Sequence, residues 1–213
     1  MDHFVQRMDL EDFNFEKFQV QAYFCAAISK VLGEIIGYEE SADLYTVSIL
    51  QNIGKLVLAV YFREKFREIN ALKISEGLVS RIAEQRVLGI THGEIGAVVL
   101  EKFKIPKEIC NAIRFHDVLG RIVPEGSDFE LEFVSRESSR LVAGFTLPKK
   151  MNAQDIMDRL RGTVDEGRKR YRENMKEVLH SKGGYREAFE TLINQAVGLI
   201  RRDLKVFLRE RKP

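Results

Sequence analysis

The side chains of this 213-residue chain that could do acid–base or ligand chemistry are few and scattered. Two of its four histidines fall in apolar helical sequence: His92, inside Thr91-His92-Gly93-Glu94, and His116, followed at once by Asp117. The other two, His3 and His180, are isolated in polar sequence. A pair of amides, Gln51-Asn52, interrupts an otherwise apolar stretch and is followed by Gly54-Lys55. No two histidines are spaced to share one helix face, and no Ser-His-Asp or Cys-His arrangement is indicated. His92 sits in a helix first turn, where the dipole disfavours a protonated imidazole, so a neutral, hydrogen-bonded ring is expected. His116 lies near a helix C-terminus and reads as a cap, and Asp117 could pair with an arginine of the basic tail. Lys55, one turn beyond Gln51, could meet an anion, although a solvated lysine is the commoner outcome. Gly54 reads as a close helix contact, since no glycine-rich loop surrounds it.

The elements that must position these residues are helical almost throughout, with hardly any strand alternation. Apolar residues from Phe18 to Ile36 recur at spacings of three and four, and Gly37 follows as a left-handed cap. Ser41 and Asp43 open a helix expected to run unbroken through Leu44, Leu50, Ile53 and Val60. Arg63–Lys73 reads as an exposed helix or loop, and Ser75–Leu88 as a helix ending before Gly89. Thr91 and Glu94 form a capping box, with Ile90 and Ile95 placed as a hydrophobic staple. Gly96-Ala97 suits close packing, and Pro106 opens a helix that reaches His116. Residues 118–128 read as loop, Phe129–Gly144 as a helix. Beyond Pro148, Asn152 and the box Thr163-Val164-Asp165-Glu166 each offer a helix start. A last apolar stripe runs from Phe189 through Ile193, Ile200 and Leu204 to Phe207.

Composition sets broad limits. Hydrophobic residues make up 45% and charged residues 31%, as in globular proteins, and no low-complexity tract or internal repeat occurs. No membrane span is expected, and no basic-then-apolar leader pattern is seen. Cys25 and Cys110 both lie in apolar helical sequence, as buried thiols of a reducing, cytoplasmic compartment would. The net charge of +2 hides an asymmetry. Residues 1–148 hold 17 basic and 22 acidic residues (net −5), residues 149–213 hold 17 and 10 (net +7). Such a tail could complement the acidic body or meet nucleic acid; the interleaved acids and the lack of an aromatic-basic stripe favour the first.

Three blocks then carry a resemblance. Ile49-Leu50-Gln51-Asn52-Ile53-Gly54-Lys55-Leu56 is similar to a segment usually reading Leu-His-Asp-Ile-Gly-Lys. Leu88-Gly89-Ile90-Thr91-His92-Gly93-Glu94-Ile95-Gly96-Ala97 is the second. Lys104-Ile105-Pro106-Lys107-Glu108-Ile109, with Ala112-Ile113-Arg114-Phe115-His116-Asp117, is the third. In order and spacing they resemble the HDOD domain, the non-catalytic relative of the HD phosphohydrolases in bacterial signalling proteins. The likeness spans roughly residues 18–144 and suggests a shortened or divergent member. It implies an all-α, HD/HDOD-like helical bundle with additional C-terminal helices. The expected division is an N-terminal segment 1–17, the HDOD-like domain 18–148, and a basic helical extension 149–213 packing on the domain or a partner.

By this resemblance the metal-gripping His-Asp pair of active relatives falls on Gln51-Asn52, and a preceding ligand falls near Val20. The distal aspartate falls within Val134–Leu141, where Glu137 is the only carboxylate. Neutral amides and a valine cannot hold a catalytic divalent ion. The expectation is therefore no catalytic residue, no metal and no cofactor. A degenerate pocket of Gln51, Asn52, Lys55, His92, His116 and Asp117 remains, most simply a satisfied polar knot in the core. The implied role is a non-enzymatic signal-transduction module working by protein contacts, with the C-terminal helix as docking or homodimer face. The alternatives are a divergent metal-dependent phosphohydrolase, or nucleic-acid binding through the basic C-terminal helices.

Overall fold

In this computed structural model, residues 12–38, 41–118, 128–143, 145, 153–178 and 184–210 are described. Every regular element among them is an α-helix. In chain order these are α1 (Phe15–Ile36), α2 (Ser41–Leu50), α3 (Ile53–Tyr61), α4 (Arg63–Glu76), α5 (Ser80–Leu88) and α6 (His92–Lys102). They continue with α7 (Lys107–Phe115), α8 (Phe129–Ala143), α9 (Ala153–Arg159), α10 (Arg161–Val178) and α11 (Gly184–Glu210). The expected loop at 118–128, the cap at Asn152 and Phe207's side chain lie largely or wholly outside the described residues.

α1 is the axis of the bundle. Asn14 caps it by accepting from the Lys17 amide at 2.7 Å, and Gly37 ends it at φ 75°, a left-handed position that only glycine adopts without strain. Phe24, Cys25, Ala26, Ala27, Ile28 and Leu32 are wholly or almost wholly buried along it. α2, α8, α9, α10 and α11 all pack against α1. A small satellite core of Leu58, Ile69 and Ala83 lies under α4 and α5.

The C-terminal helices complete the main core. Phe189, Ile193, Ala196, Val197, Ile200 and Leu204 of α11 join the same apolar cluster as α1 and α8. Arg168 donates to the Glu34 carbonyl at 3.1 Å, and Gly167 lies so close to α1 that an added Cβ would stand 2.6 Å from Ile35 Cδ1. The stripe that the sequence offered for docking is thus covered within the chain. Thr163 corrects the second expected capping box: α10 already begins at Arg161, and the buried Thr163 hydroxyl donates to Asp203 of α11 at 2.6 Å. Arg202 closes this tie by donating to Glu166 at 2.8 Å and Asp203 at 2.7 Å.

The expected unbroken helix from Ser41 to Val60 is two helices, α2 and α3, parted at Gln51-Asn52. The cause is polar and tertiary. Gln51 is fully buried and its side chain turns to Ser135 of α8, while Asn52 takes φ −99° and ψ 7° and leaves the helical path. Ala42–Tyr61 is long and apolar enough to span a bilayer, but this break divides it and 44% of it is buried inside the protein. Likewise the expected helix from Ser75 begins only at Ser80, because Gly77 at φ 66° ends α4.

Glycines govern how α3, α6 and α7 meet. A Cβ on Gly54 would stand 1.9 Å from the His92 carbonyl oxygen and 3.0 Å from the Gly96 nitrogen. A Cβ on Gly93 would stand 2.8 Å from the Arg114 carbonyl oxygen. The obstacles are backbone atoms, which cannot swing aside as a side chain can. The expected close contact at Gly54 and the small-residue packing at Gly96 are both present. Gly54→Ala is therefore expected to cost more than about 2 kcal/mol, since overpacking against rigid backbone forces the helices apart. Chemical denaturation checks this, with Gly162→Ala, which meets nothing within 4 Å, as the tolerated comparison.

Candidate functional site

Three helix junctions converge on one cavity of about 570 Å³. The α2–α3 break supplies Asn52 and Lys55, the start of α6 supplies His92, and the end of α7 supplies His116 and Asp117. α8 adds Arg136, Glu137 and Arg140 from the opposite wall, and α11 adds Glu190 and Asn194.

His92 is held at this point by two devices. The capping box is present as expected, with the Thr91 hydroxyl accepting from the Glu94 amide at 3.2 Å and Glu94 accepting from the Thr91 amide at 2.7 Å. Glu84 of α5 then takes hold of the residue twice. Its carboxylate accepts from the His92 backbone amide at 2.8 Å and from Nδ1 at 2.7 Å. Both side chains are buried, 2% and 3% exposed. Sequence reasoning missed Glu84, which sits eight residues upstream across a helix junction and carries no signal beyond being a carboxylate in a half-apolar helix.

His116 is anchored by its own helix. Its Nδ1 donates to the Ile113 carbonyl at 2.7 Å, so the expected capping role is real. The other ring nitrogen turns inward, and His92 Nε2 and His116 Nε2 are 3.2 Å apart. Two histidines with no helix-face spacing in the sequence are thus in contact, with rings edge to face at 5.0 Å. Among the described residues Asp117 meets no tail arginine. Both its carboxylate oxygens are buried without a hydrogen-bond partner among the described residues, and Oδ2 stands 3.8 Å from His92 Nδ1.

The electrostatics follow from burial. Desolvation, followed by the nearby Lys55 and His116, lowers the His92 pKa well below the usual imidazole value. Desolvation also lowers His116, against the opposing pull of Asp117. Burial thus favours the neutral form of both rings. Burial raises the Glu84 carboxyl, while the His92 amide, Lys55, Lys73 and His116 pull it back down. Lys55 is half-buried and desolvation lowers its pKa too; its ammonium donates to Asn52 Oδ1 at 2.6 Å. The expectation of a solvated lysine is corrected, because the α3–α6 contact draws Lys55 in among Glu84, Asp117 and the histidines.

Gln51 belongs to a different network. Ser48 and Ser29 share a hydrogen bond, Ser29 donates to Ser138 at 2.7 Å, and Ser138 donates to the Ser135 carbonyl at 2.8 Å. Ser135 Oγ then donates to Gln51 Oε1 at 3.1 Å. This chain joins α1, α2 and α8 at the α2–α3 break, which is the polar knot expected of Gln51. Its Nε2 has no hydrogen-bond partner among the described residues. Beside it the Cys25 thiol is pushed up to about 12 by burial, an inert group. So Gln51 is part of the core, while Asn52, Lys55, His92, His116 and Asp117 share the cavity.

The ligand set expected of an HD-type metal pair does not fit here. Val20 is 5% exposed among core apolar groups, Gln51 is spent on Ser135, and Asn52 is engaged by an ammonium. Glu137, at the distal position, is buried and paired with Arg140 at 2.9 Å.

Comparison with known proteins agrees with this architecture. The family model described as "HDOD domain" matches residues 1–119, which is more than half of the chain. This chain belongs to the HDOD domain family. The match takes in all three junctions of the site, from the amide pair to His116 and Asp117. Among solved structures, an HDOD domain protein of unknown function from Geobacter sulfurreducens superposes with a TM-score of 0.57 at 17% identity, covering 89% of this chain and 62% of that one. A candidate phosphohydrolase from Shewanella amazonensis SB2B gives 0.53 at 16% identity, covering 90% and 65%. An uncharacterised protein of Treponema pallidum (strain Nichols) is 24% identical over 94 residues, 44% of this chain and 18% of that protein. The chain therefore spans less than two thirds of each relative, and at these identities the structural matches establish the HDOD-type helical fold alone.

Glu84→Ala is expected to destabilise the protein by about 3 kcal/mol, because it strands two buried N–H groups of His92. Glu84→Gln, which keeps an acceptor, should cost less. Urea unfolding of the two variants checks the order.

Proposed function

We propose that this HDOD protein is a non-catalytic regulatory module of bacterial signal transduction, acting through protein contacts in the cytoplasm. The observation that carries this reading is the fate of the amide pair. Gln51 Oε1 is bound into a buried serine chain and Asn52 Oδ1 is bound to Lys55, so the position where active relatives keep an anionic, ion-gripping pair is neutral and its side-chain oxygens are engaged. A polar centre of this kind fixes the mutual position of α2, α3 and α8 without offering charge to a catalytic ion.

Exposed apolar side chains away from α11 support the partner reading. Tyr61 and Phe62 at the end of α3, and Val98 and Phe103 on neighbouring α6, are 74%, 52%, 48% and 74% exposed. Isolated exposed apolar residues are common, but large aromatics at the ends of two packed helices are of the type enriched at protein interfaces.

The test is an assay of phosphomonoester and phosphodiester hydrolysis with p-nitrophenyl substrates, supplied in turn with Mg²⁺, Mn²⁺, Fe²⁺ and Ni²⁺. No turnover above the metal-only blank is expected. Turnover that His116→Gln abolishes would overturn the reading and favour a divergent metal-dependent phosphohydrolase.

A further inference from the structure

The two buried histidines each turn one ring nitrogen toward the other. His92 Nδ1 faces the Glu84 carboxylate at 2.7 Å, and His116 Nδ1 faces the Ile113 carbonyl oxygen at 2.7 Å. A carbonyl can only accept, so a neutral His116 carries its proton on Nδ1 and presents Nε2 as a lone pair. His92 Nε2 stands 3.2 Å from it, in a site where both residues are almost fully buried.

The spacing of the two nitrogens suits a shared metal ion. Nitrogen–metal bonds of about 2.0–2.1 Å at angles between octahedral and tetrahedral put two ligand nitrogens about 2.8–3.4 Å apart. The observed separation falls in that interval. One ligand atom from each of His92, His116 and Asp117 can be grouped so that all lie within 4.8 Å of one another. Asp117 brings two buried oxygens that satisfy no other described group. The outer partners are also those that metal-bound histidines keep: a carboxylate behind one ring and a backbone carbonyl behind the other.

We propose that His92 Nε2, His116 Nε2 and the Asp117 carboxylate form a binding site for one divalent first-row transition ion. The set of two imidazoles and one carboxylate suits zinc or iron(II) better than magnesium or calcium. It uses neither Gln51 nor Asn52, so it stands apart from the replaced pair, and it is independent of whether the protein has any activity. The three residues line the 570 Å³ cavity, so the ion's remaining positions face a chamber whose far wall carries Arg136 and Arg140. The protein thereby holds an ion that a small anion entering the cavity can reach.

The experiment uses the full chain, stripped with a chelator and loaded with Zn²⁺ or with Co²⁺ as a visible probe. One equivalent of Zn²⁺ per chain is expected by elemental analysis after gel filtration, with Co²⁺ giving the visible bands of a nitrogen- and oxygen-ligated ion. Asp117→Asn, a near-isosteric change at a partly exposed side chain, is expected to weaken Zn²⁺ binding at least tenfold in calorimetry. Glu137→Gln should leave it within about twofold, because Glu137 is paired with Arg140. His116→Gln should abolish binding; if that variant fails to fold, the Asp117→Asn comparison still decides. Less than half an equivalent in the wild type, or equal affinity in wild type and Asp117→Asn, overturns the site. Zinc binding without phosphoester turnover supports both this site and the non-catalytic reading. Turnover with the site intact removes only the latter.

Discussion

The centre of this protein depends on a backbone contact that leaves room for a hydrogen atom and nothing larger. At Gly54 the start of α3 lies against the His92 carbonyl, and at Gly93 the start of α6 lies against the end of α7. These two approaches draw three helix termini onto one point. Helix termini are where backbone N–H and C=O groups lack partners, so bringing them together concentrates unsatisfied polarity in the interior. The protein answers with the Thr91–Glu94 capping box, the double grip of Glu84 on His92, and the His116 cap on Ile113.

That polarity is partitioned into two compartments with different character. On one side of the α2–α3 break, Gln51 and four serines make a fully buried chain of neutral hydrogen bonds inside the apolar core. On the other side, Lys55, Asp117, Glu84 and the two histidines make a charged cluster that opens on a cavity. Asn52 is the boundary: its side chain belongs to Lys55 and the cavity, while its backbone ends one helix and begins the next. The neutrality of the two amides is what permits this separation. Neutral groups can be tied off one by one, whereas two buried charges would have to share a counter-ion.

The C-terminal helices serve the same centre from outside. α11 closes the apolar core against α1 and α8 and places Glu190 and Asn194 on the cavity wall. Some of this segment's own acids meet its arginines, Glu166 and Asp203 with Arg202, Glu166 with Arg170 and Asp158 with Arg161, pairs already counted in its net charge of +7. Such partly exposed pairs contribute little to stability alone. Arg202 with Glu166 is the one of them that ties α11 to α10.

The sequence by itself determined the all-α class, the helix caps at Gly37 and Thr91, the amide pair and the tight contact at Gly54. Each is a local matter of backbone conformation, periodicity or residue chemistry, and so each is visible in a few consecutive residues. Only the tertiary structure decided that Gln51 and Asn52 break a helix, since the break follows from Ser135, 84 positions away. Only it decided that His92 and His116, 24 positions apart, share a face, that Glu84 stands behind one of them, and that Thr163 bonds α11 rather than capping α10. These are choices of partner, and helical periodicity says which face of a helix is buried but not which side chain of another helix it will meet.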